Sequence, residues 1–460
     1  MQKCKSLNVR SVFCGFSTKF KCAKSYMLIW VSALKNHEGS PVRKSCSLFG
    51  LAVLALCFSF LVIKGYSYLD ITVIPVGEAN VDVYVVALDG VGGYGVNDVS
   101  RVVEGVIDAC QVNSSRYYTG NTNPYTGEVY GPPSIVFVEI KINTTVTVVT
   151  AWDTYKHLVE SGSNIIIVNA HGETVPVPLG YTKEGWVDEI AEAMLQRNVT
   201  WVHTAGYPFY YYYLQGVGNG TWGEAGFQRL MSHIDLGNVT CHPKYAETDK
   251  IPMNTHAEDL SWGWGLLGNA IQVEHGRPLN CSDFKDYIVL PIWGTDYGYA
   301  TGAVVRFSVS NQSNPGIYVH IGTNQTFNSV DRPTEADYMR GYAGAAAAIW
   351  SSSHRVVSEK KCVDAEKAIV EAETEGRTKG LDIARQLLDD ARQYYQLGKF
   401  MNAVERARYA QETANRSVRP SFTEAYGTYL AATLIAGVVV IASGLTVRWE
   451  RNRKKEEGQK

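Results

Sequence analysis

Cysteine is scarce over most of this 460-residue chain. Five of the nine cysteines precede residue 60, and the four that follow are Cys110, Cys241, Cys281 and Cys362. Four cysteines allow three pairings, which sequence alone does not distinguish. We favour a disulfide between Cys241 and Cys281, which would close an insertion rich in glycine, tryptophan and histidine. The alternative is four buried free thiols.

A large net charge and a metal-ligand motif are also missing. The formal net charge of −2 disfavours nucleic acid as a partner. No two cysteines have zinc spacing, and no two of the scattered histidines lie three or four residues apart on one predicted helix. These histidines are His203, His233, His242, His256 and His275. We therefore expect no metal site and no cofactor.

Two long segments contain no charge at all. Residues 47–63 (SLFGLAVLALCFSFLVI) form the first, seventeen residues between two lysines. This length and the small residues Gly65 and Ser67 just beyond it predict a signal peptide or signal anchor over residues 47–67. Residues 1–46 carry nine Lys and Arg against one acidic residue, and they resemble no domain. The sequence leaves open whether this basic extension is translated and whether the apolar segment is cleaved.

Residues 425–447 (AYGTYLAATLIAGVVVIASGLTV) form the second uncharged segment. Its twenty-three residues are long enough to span a bilayer. Residues 448–460 follow with six Lys and Arg against three Glu, so the positive-inside rule predicts a cytoplasmic tail. The alternative is a buried core helix. With a C-terminal transmembrane helix, residues 68–424 would lie outside the cell.

N-glycosylation sequons support this topology independently. All of them lie between the two apolar segments. The predicted acceptors are Asn113, Asn143, Asn198, Asn219, Asn238, Asn280, Asn311, Asn324 and Asn415.

Strand and helix patterns alternate through residues 68–355, which predicts one α/β domain with a mainly parallel, doubly wound sheet. Strands are expected at residues 81–88, 135–140, 199–204 and 287–292, and in the apolar start of residues 164–178. Helices are expected at residues 98–110, 152–160, 186–196 and 335–350, with a closing hairpin from residues 303–309 and 316–321. The order of elements predicts that Asp89, His171 and residues 204–208 lie at one edge of the sheet.

The pattern changes in residues 379–415, which predict a helical hairpin turning near Gly398. The face expected to be buried contains Ile383, Leu387, Ala391 and Tyr394 in the first helix, and Ala403, Ala407 and Ala410 in the second. The hairpin resembles one tetratricopeptide-type unit, but a single unit cannot bury a repeat core. We interpret residues 361–420 as a stalk before the membrane, with docking of a partner as the alternative.

Residues 164–178 (NIIIVNAHGETVPVP) deliver a histidine and a glutamate to the end of a buried strand, where α/β enzymes keep their catalytic groups. The stretch IIIVNAHGE, together with GVNDV at residues 95–99, resembles caspase- and gingipain-like cysteine peptidases. That resemblance implies His171 as the catalytic base and a cysteine at the end of the next strand. The next strand ends instead in His203-Thr204-Ala205-Gly206, without a cysteine.

A longer stretch, from about residue 81 to residue 350, resembles the class I glutamine amidotransferase-like fold, a flavodoxin-like α/β architecture. The resemblance rests on the order of elements and on GAVVRFSVSNQSNPGIYVHIGT running into a helix of small residues. Catalytic members carry a cysteine in a strand-to-helix elbow and a later His-x-Glu. Here His171-Gly172-Glu173 stands where the elbow belongs, and neither candidate elbow has a cysteine. The resemblance therefore implies the fold but not the activity.

The loop DGVGGYGVND, residues 89–98, satisfies G-x-G-x-x-G at Gly90, Gly92 and Gly95. A dinucleotide loop also needs an acidic residue about twenty positions on, whereas Glu139 is forty-nine residues beyond Gly90. We interpret these glycines as a tight turn. The aromatic run YPFYYYY at residues 207–213 is expected to overhang the same sheet edge.

Aromatic faces beside a histidine and a carboxylate are typical of a sugar or peptide site. The candidate ligand-binding residues are Asp89, His171, Tyr207 and Tyr210. The alternative is a tyrosine-rich loop packed on the domain.

Together these patterns predict a surface glycoprotein of an archaeal-type cell envelope, held by a single C-terminal anchor. Its expected partners are the membrane and envelope proteins or glycans. We predict a non-catalytic binding module in which His171→Ala leaves folding largely intact. The alternative is a membrane-tethered extracellular hydrolase that uses His171 and Glu173.

Overall fold

A computed structural model describes eight stretches of the chain. They are residues 71–120, 135–242, 251–252, 272–280, 287–295, 299–308, 314–327 and 333–457. All of them belong to one compact unit. The basic extension and the predicted signal segment, residues 1–67, lie outside the described residues.

The described residues contain sixteen strands and eight helices. The strands are β1 (Ile71–Val86), β2 (Ser114–Gly120), β3 (Ile135–Val149), β4 (Ile165–Asn169), β5 (Thr174–Val177), β6 (Thr200–His203), β7 (Tyr211–Leu214), β8 (Gly218–Thr221), β9 (Thr240–Cys241), β10 (Ile251–Pro252), β11 (Gln272–Gly276), β12 (Leu279–Asn280), β13 (Tyr287–Thr295), β14 (Tyr299–Phe307), β15 (Gly316–Ile321) and β16 (Thr323–Phe327). The helices are α1 (Val99–Ala109), α2 (Trp152–Ser161), α3 (Lys183–Gln196), α4 (Ala225–His233), α5 (Pro333–Thr374), α6 (Leu381–Gln396), α7 (Phe400–Asn415) and α8 (Phe422–Glu457).

The central sheet is mixed, with a parallel core. Its strand order is β2-β3-β1-β4-β6-β15-β14-β12-β9, and β13 pairs with β14 beside this path. The five neighbours from β3 to β15 are all parallel, whereas β2 and the strands beyond β15 pair antiparallel. The predicted α/β class with a mainly parallel sheet is confirmed.

Alternate residues of the parallel strands enter two separate hydrophobic clusters. In β4, Ile166 and Val168 pack in a cluster that also holds residues of α1 and α5. Ile165 and Ile167 pack in a second cluster with residues of α2, α3 and α4. This follows from the two-residue period of a strand, which sends successive side chains to opposite faces. A strand buried on both faces reads as an uninterrupted apolar run, as β4 does.

The C-terminal part of the sheet differs from the prediction in two respects. The strand predicted at residues 287–292 exists as β13, but it pairs antiparallel with β14 and does not continue the parallel core. The predicted closing hairpin is confirmed as the antiparallel pair β14 and β15. The helix expected at residues 335–350 is much longer, because no glycine or proline interrupts the chain between Gly344 and Thr374.

The helices α6 and α7 occupy the predicted helical hairpin and pack against each other and against α5. The predicted buried face of α6 is correct at Ala391, while Leu387 and Tyr394 are only partly buried and Ile383 is exposed. The residues that are buried there are Leu381, Ala384, Leu388, Ala391 and Tyr395, whereas Ile383 is 59% exposed. Leu381, Ala384, Leu388 and Ala391 pack with residues of α5 and α7. In α7 the predicted alanines Ala403, Ala407 and Ala410 are buried.

The last helix contains a candidate membrane span, Leu430–Arg453, with a mean hydropathy of 2.3. Its apolar residues are exposed, including Leu434, Val440 and Ile441. A helix that is apolar on all sides is stable in lipid. Among the described residues it is the one helix long and apolar enough to cross a membrane.

Candidate functional site

A row of polar side chains crosses the carboxyl edge of the parallel strands. Asn169, the last residue of β4, is in register with Val86 and with His203, and His203 is in register with His320 of β15. Asp89, His171 and Thr204 come shortly after the ends of β1, β4 and β6. Their predicted placement at one edge of the sheet is therefore confirmed.

His171 is buried at this edge and accepts a backbone hydrogen bond. The side chain is 1% exposed, and its Nε2 accepts the Leu88 N–H at 2.9 Å. Burial lowers the pKa of His171 to about 4, and a hydrogen bond to the Val91 backbone acts in the opposite direction. The imidazole is thus neutral near pH 7 and carries its proton on Nδ1. Its basic nitrogen would have to give up the Leu88 amide before it could take a proton from a substrate.

Glu173 is buried two residues later and bonds to a different loop. Its Oε1 accepts the Tyr207 N–H at 2.9 Å. Burial raises the pKa of Glu173, and the Tyr207 amide and the charge of Arg277 act in the opposite direction. Gly206, with φ of +60°, lies against this carboxylate, and a Cβ at that position would overlap Glu173 Oε1. The carboxylate therefore fastens the loop after β6 to the loop after β4.

Asn169 organises the turn that presents His171 and Glu173. Its Nδ2 donates to the carbonyls of Gly172 and Thr174 at 3.1 and 2.9 Å, and its Oδ1 accepts the His171 N–H at 3.2 Å. Gly172 has φ of +61°, and a Cβ there would overlap the Tyr94 carbonyl oxygen. The turn is thus closed by buried hydrogen bonds and by contact with the neighbouring loop.

The glycine-rich loop of residues 89–98 packs on this turn. The Tyr94 N–H donates to Thr174 Oγ1 at 3.3 Å, and the Glu173 N–H donates to the Tyr94 carbonyl at 2.9 Å. Gly90 and Gly95 both have positive φ, as a tight turn requires. These contacts use the backbone of the loop within the protein, in agreement with the tight-turn interpretation.

A pair of histidines lies beside the turn. The rings of His203 and His320 stack with centroids 5.4 Å apart, and both side chains are buried. His203 Nε2 is 3.2 Å from the Gly206 carbonyl, and His320 Nε2 is 2.7 Å from the Arg277 carbonyl. Burial lowers the pKa of both, to about 4 for His320. Two neutral rings can stack closely because neither carries a charge.

The four candidate ligand-binding residues divide into two kinds. Asp89 is exposed and Tyr210 is partly exposed, so both can meet a molecule at the surface. His171 and Tyr207 are each only 1% exposed. Ligand binding by these residues stays a prediction. Asp89 and Tyr210 are the two that a ligand at the surface could contact directly.

An aromatic surface extends from this edge over the small sheet β5-β7-β8. Tyr94, 43% exposed, stacks on Tyr211 with centroids 3.9 Å apart. Tyr213 stacks on Trp152 at 6.0 Å, and Lys183 lies 4.9 Å above the ring of Tyr212. Partly exposed rings with a nearby cation are suited to sugar or peptide contact. The predicted aromatic overhang is therefore a short sheet rather than a loop.

The remaining site predictions concern sequons and cysteines. Of the seven sequon asparagines whose exposure is described, none is buried, and glycosylation itself stays a prediction. Asn311 lies outside the described residues, as does Cys281. Cys241 of β9 is in register with Leu279, two residues before Cys281, and its bond to Cys281 stays a prediction. Within the described stretches, no group of three or more His, Cys, Asp or Glu side chains could hold a metal ion.

Sequence reasoning missed Asn169 and His320 as members of this edge. Asn169 ends an apolar run, although asparagine, here two residues before the His-Gly pair, is a residue type whose side chain bonds to the backbone of turns. The pairing of His203 with His320 depends on two strands 117 residues apart becoming neighbours, and no local pattern encodes it. No family model matches this chain, and no curated protein or solved structure is significantly similar to it.

Proposed function

We propose that this protein is a membrane-anchored extracellular glycoprotein whose α/β domain binds a ligand or an envelope protein without catalysing a reaction. The apolar helix Leu430–Arg453 supports the anchor. The confinement of the sequons to residues 68–424, with the described acceptors at least partly exposed, supports an extracellular domain.

The same proposal assigns a doubly wound, class I glutamine amidotransferase-like fold to the domain. The two hydrophobic clusters, one containing α1 and α5 and the other α2, α3 and α4, support helices on both faces of the parallel strands. In this proposal α6 and α7 act as the stalk between the sheet and the membrane. Their packing on the C-terminal half of α5 supports a rigid connection.

The bonding of His171 carries the non-catalytic assignment. A general base needs a free lone pair within reach of the proton that it removes. The Nε2 lone pair of His171 is occupied by the Leu88 amide, and burial lowers the pKa to about 4. The carboxylate of Glu173 is likewise bonded to a backbone amide, that of Tyr207.

The alternative function is a membrane-tethered extracellular hydrolase. One observation favours it: burial raises the pKa of Glu173, and a carboxyl group that keeps its proton can act as a general acid. In that case Glu173 would donate the proton and His171 would be the base, after both had left their backbone partners.

Hydrolysis assays distinguish the two functions. The full-length protein in detergent is tested on panels of peptide, amide and glycoside substrates, beside the variants His171→Gln and Glu173→Gln. We expect no turnover above background for any of the three proteins. A wild-type activity that disappears in both variants, while circular dichroism shows that they remain folded, would establish the hydrolase.

A further inference from the structure

The hairpin of β7 and β8 brings a predicted glycosylation sequon next to aromatic rings. In its antiparallel register Tyr213 lies opposite Asn219, and Tyr211 lies opposite Thr221. Directly opposed residues of two antiparallel strands project from the same face with their Cβ atoms about 5 Å apart. Both sequon side chains, the acceptor Asn219 and the hydroxyl residue Thr221, therefore stand beside a tyrosine.

The neighbouring rings extend this face. Tyr213 stacks on Trp152 with an interplanar angle of 25°, and both side chains are partly exposed. Asn219 and Thr221 are exposed. A group attached to Asn219 therefore begins close to two aromatic rings, those of Tyr213 and Trp152, that are still partly exposed.

Contacts of Tyr212 on the opposite face of the hairpin fix the pairing register of β7 and β8. Gly220, the middle residue of the sequon, lies under the ring of Tyr212, and a Cβ at that position would overlap the ring. Lys183 covers the same ring and also lies 5.2 Å from the ring centroid of Trp222. With Tyr212 held on one face, Asn219 and Tyr213 remain together on the other, because a slip by one residue would reverse every side chain.

We propose that the N-linked glycan on Asn219 folds back onto Tyr213 and Trp152, so that this aromatic face binds the first sugars of the chain's own glycan. This inference rests on the proposed extracellular location. Aromatic rings have a negative face that attracts the weakly positive C–H groups of a sugar ring. The sugar is covalently attached beside the rings, so its effective concentration is high without any further binding site.

The glycan would also protect an exposed strand. Within the described residues β8 is the last strand of the sheet β5-β7-β8, so one side of its backbone is open. Open strand edges pair with other chains and cause aggregation unless something covers them. A glycan at Asn219 lies at that edge.

Two substitutions of Thr221 separate the glycan from the polypeptide. Thr221→Ala removes the sequon and keeps Asn219, whereas Thr221→Ser keeps the sequon with a similarly shortened side chain. The full-length protein is produced in a secretory host that attaches N-glycans, and glycopeptide mass spectrometry measures the occupancy of each sequon. We expect Thr221→Ala to lower the Tm by about 2–4 °C relative to Thr221→Ser. Asn113→Gln, which removes an exposed sequon ahead of β2, is the control and should leave the Tm unchanged.

Substitution of Tyr213 tests the contact itself. Tyr213→Leu should lower the Tm more in the glycosylated protein than in the Thr221→Ala background, and Tyr213→Phe should behave like the wild type in both. Occupancy at other sequons but not at Asn219 overturns the inference and leaves the proposed function standing. Occupancy at Asn219 with equal Tm values for Thr221→Ala and Thr221→Ser also overturns it. If no sequon is occupied in this host, the extracellular assignment fails together with the inference.

Discussion

At the scale of single residues, the His171 side chain accepts a hydrogen bond from the backbone of its own domain. Replacement by alanine leaves the Leu88 N–H buried without an acceptor and creates a cavity, and each effect is destabilising. We expect His171→Ala to reduce the free energy of unfolding by about 2–4 kcal/mol, as measured by urea denaturation. The burial of the ring therefore leads to a different prediction from the sequence alone, which predicts that this substitution leaves folding largely intact.

Two comparisons identify the cause of this loss. His171→Gln supplies a side-chain oxygen that can accept the Leu88 amide, so it should recover part of the lost stability. Asp89→Ala alters an exposed side chain at the same edge and should change the stability by less than about 0.5 kcal/mol. Equal stabilities for the wild type and His171→Ala would show that the Leu88 hydrogen bond contributes nothing.

The buried histidines also predict how stability depends on pH. Burial lowers the pKa of His171 and of His320 to about 4, whereas an unfolded histidine titrates near 6.5. Between these values the unfolded chain binds more protons than the folded protein, so stability falls as the pH decreases. The contribution of each histidine to the free energy of unfolding is fully present above pH 6.5. It decreases by about 1.4 kcal/mol per pH unit as the pH falls from 6.5 towards 4.

A histidine variant isolates this effect from the titration of carboxyl groups. Urea denaturation of the wild type and of His171→Gln at several pH values between 7 and 4.5 gives two curves of stability against pH. The curve of the variant should be shallower, because one of the groups that take up protons on unfolding is missing. Parallel curves would mean that His171 titrates alike in the folded and unfolded states.

At the scale of secondary-structure elements, α6 tests which face of a helix is buried. Leu388 is 5% exposed and packs against α5 and α7, whereas Ile383 is 59% exposed. We expect Leu388→Ala to cost about 2–4 kcal/mol in the free energy of unfolding and Ile383→Ala less than about 0.5 kcal/mol. Thermal and urea denaturation of the two variants provide the measurement. A larger loss for Ile383→Ala would restore the face predicted from the sequence.

The elements that could be predicted from sequence are those in which the spacing of apolar residues follows from which faces are buried. The run IIIV in β4 is apolar because both faces of the strand are covered, and Val102 and Val106 give α1 its helical spacing. In α6 the same reasoning chose Ala391 correctly but chose Ile383 where its neighbour Ala384 is the buried residue. A small residue beside a larger apolar one gives a weak signal for burial, although small residues let helices approach closely.

The elements that could not be predicted depend on contacts between distant segments. The strand β8 has the sequence GNGT, which has no strand preference, and it exists because it pairs with β7. In β7 the tyrosines are half-buried, so the run shows neither alternation nor a continuous apolar core. At the candidate site, the partner of His171 is a backbone amide from another strand end, and sequence carries no signal for backbone partners.

At the scale of the whole molecule, the charges and the sequons both favour the same proposed orientation of the chain. The candidate span ends in a basic segment, which favours retention of that segment on the cytoplasmic side. Every sequon lies before the span, so the orientation with a cytoplasmic basic segment would place all of them on the side where N-glycans are added. These two patterns are independent, since one depends on lysine and arginine and the other on asparagine with serine or threonine. A buried core helix would require neither.

Protease protection tests this orientation directly. When protease is added to intact cells, it should digest the domain before α8 and leave a short C-terminal fragment protected by the bilayer. An epitope after Lys460 detects the fragment, and permeabilised cells provide the control in which the epitope is also lost. An epitope digested in intact cells, while the domain before α8 survives, would reverse the orientation. Protection of the entire chain until permeabilisation would place the α/β domain inside the cell. In that case both the proposed glycan on Asn219 and the proposed extracellular function would be wrong.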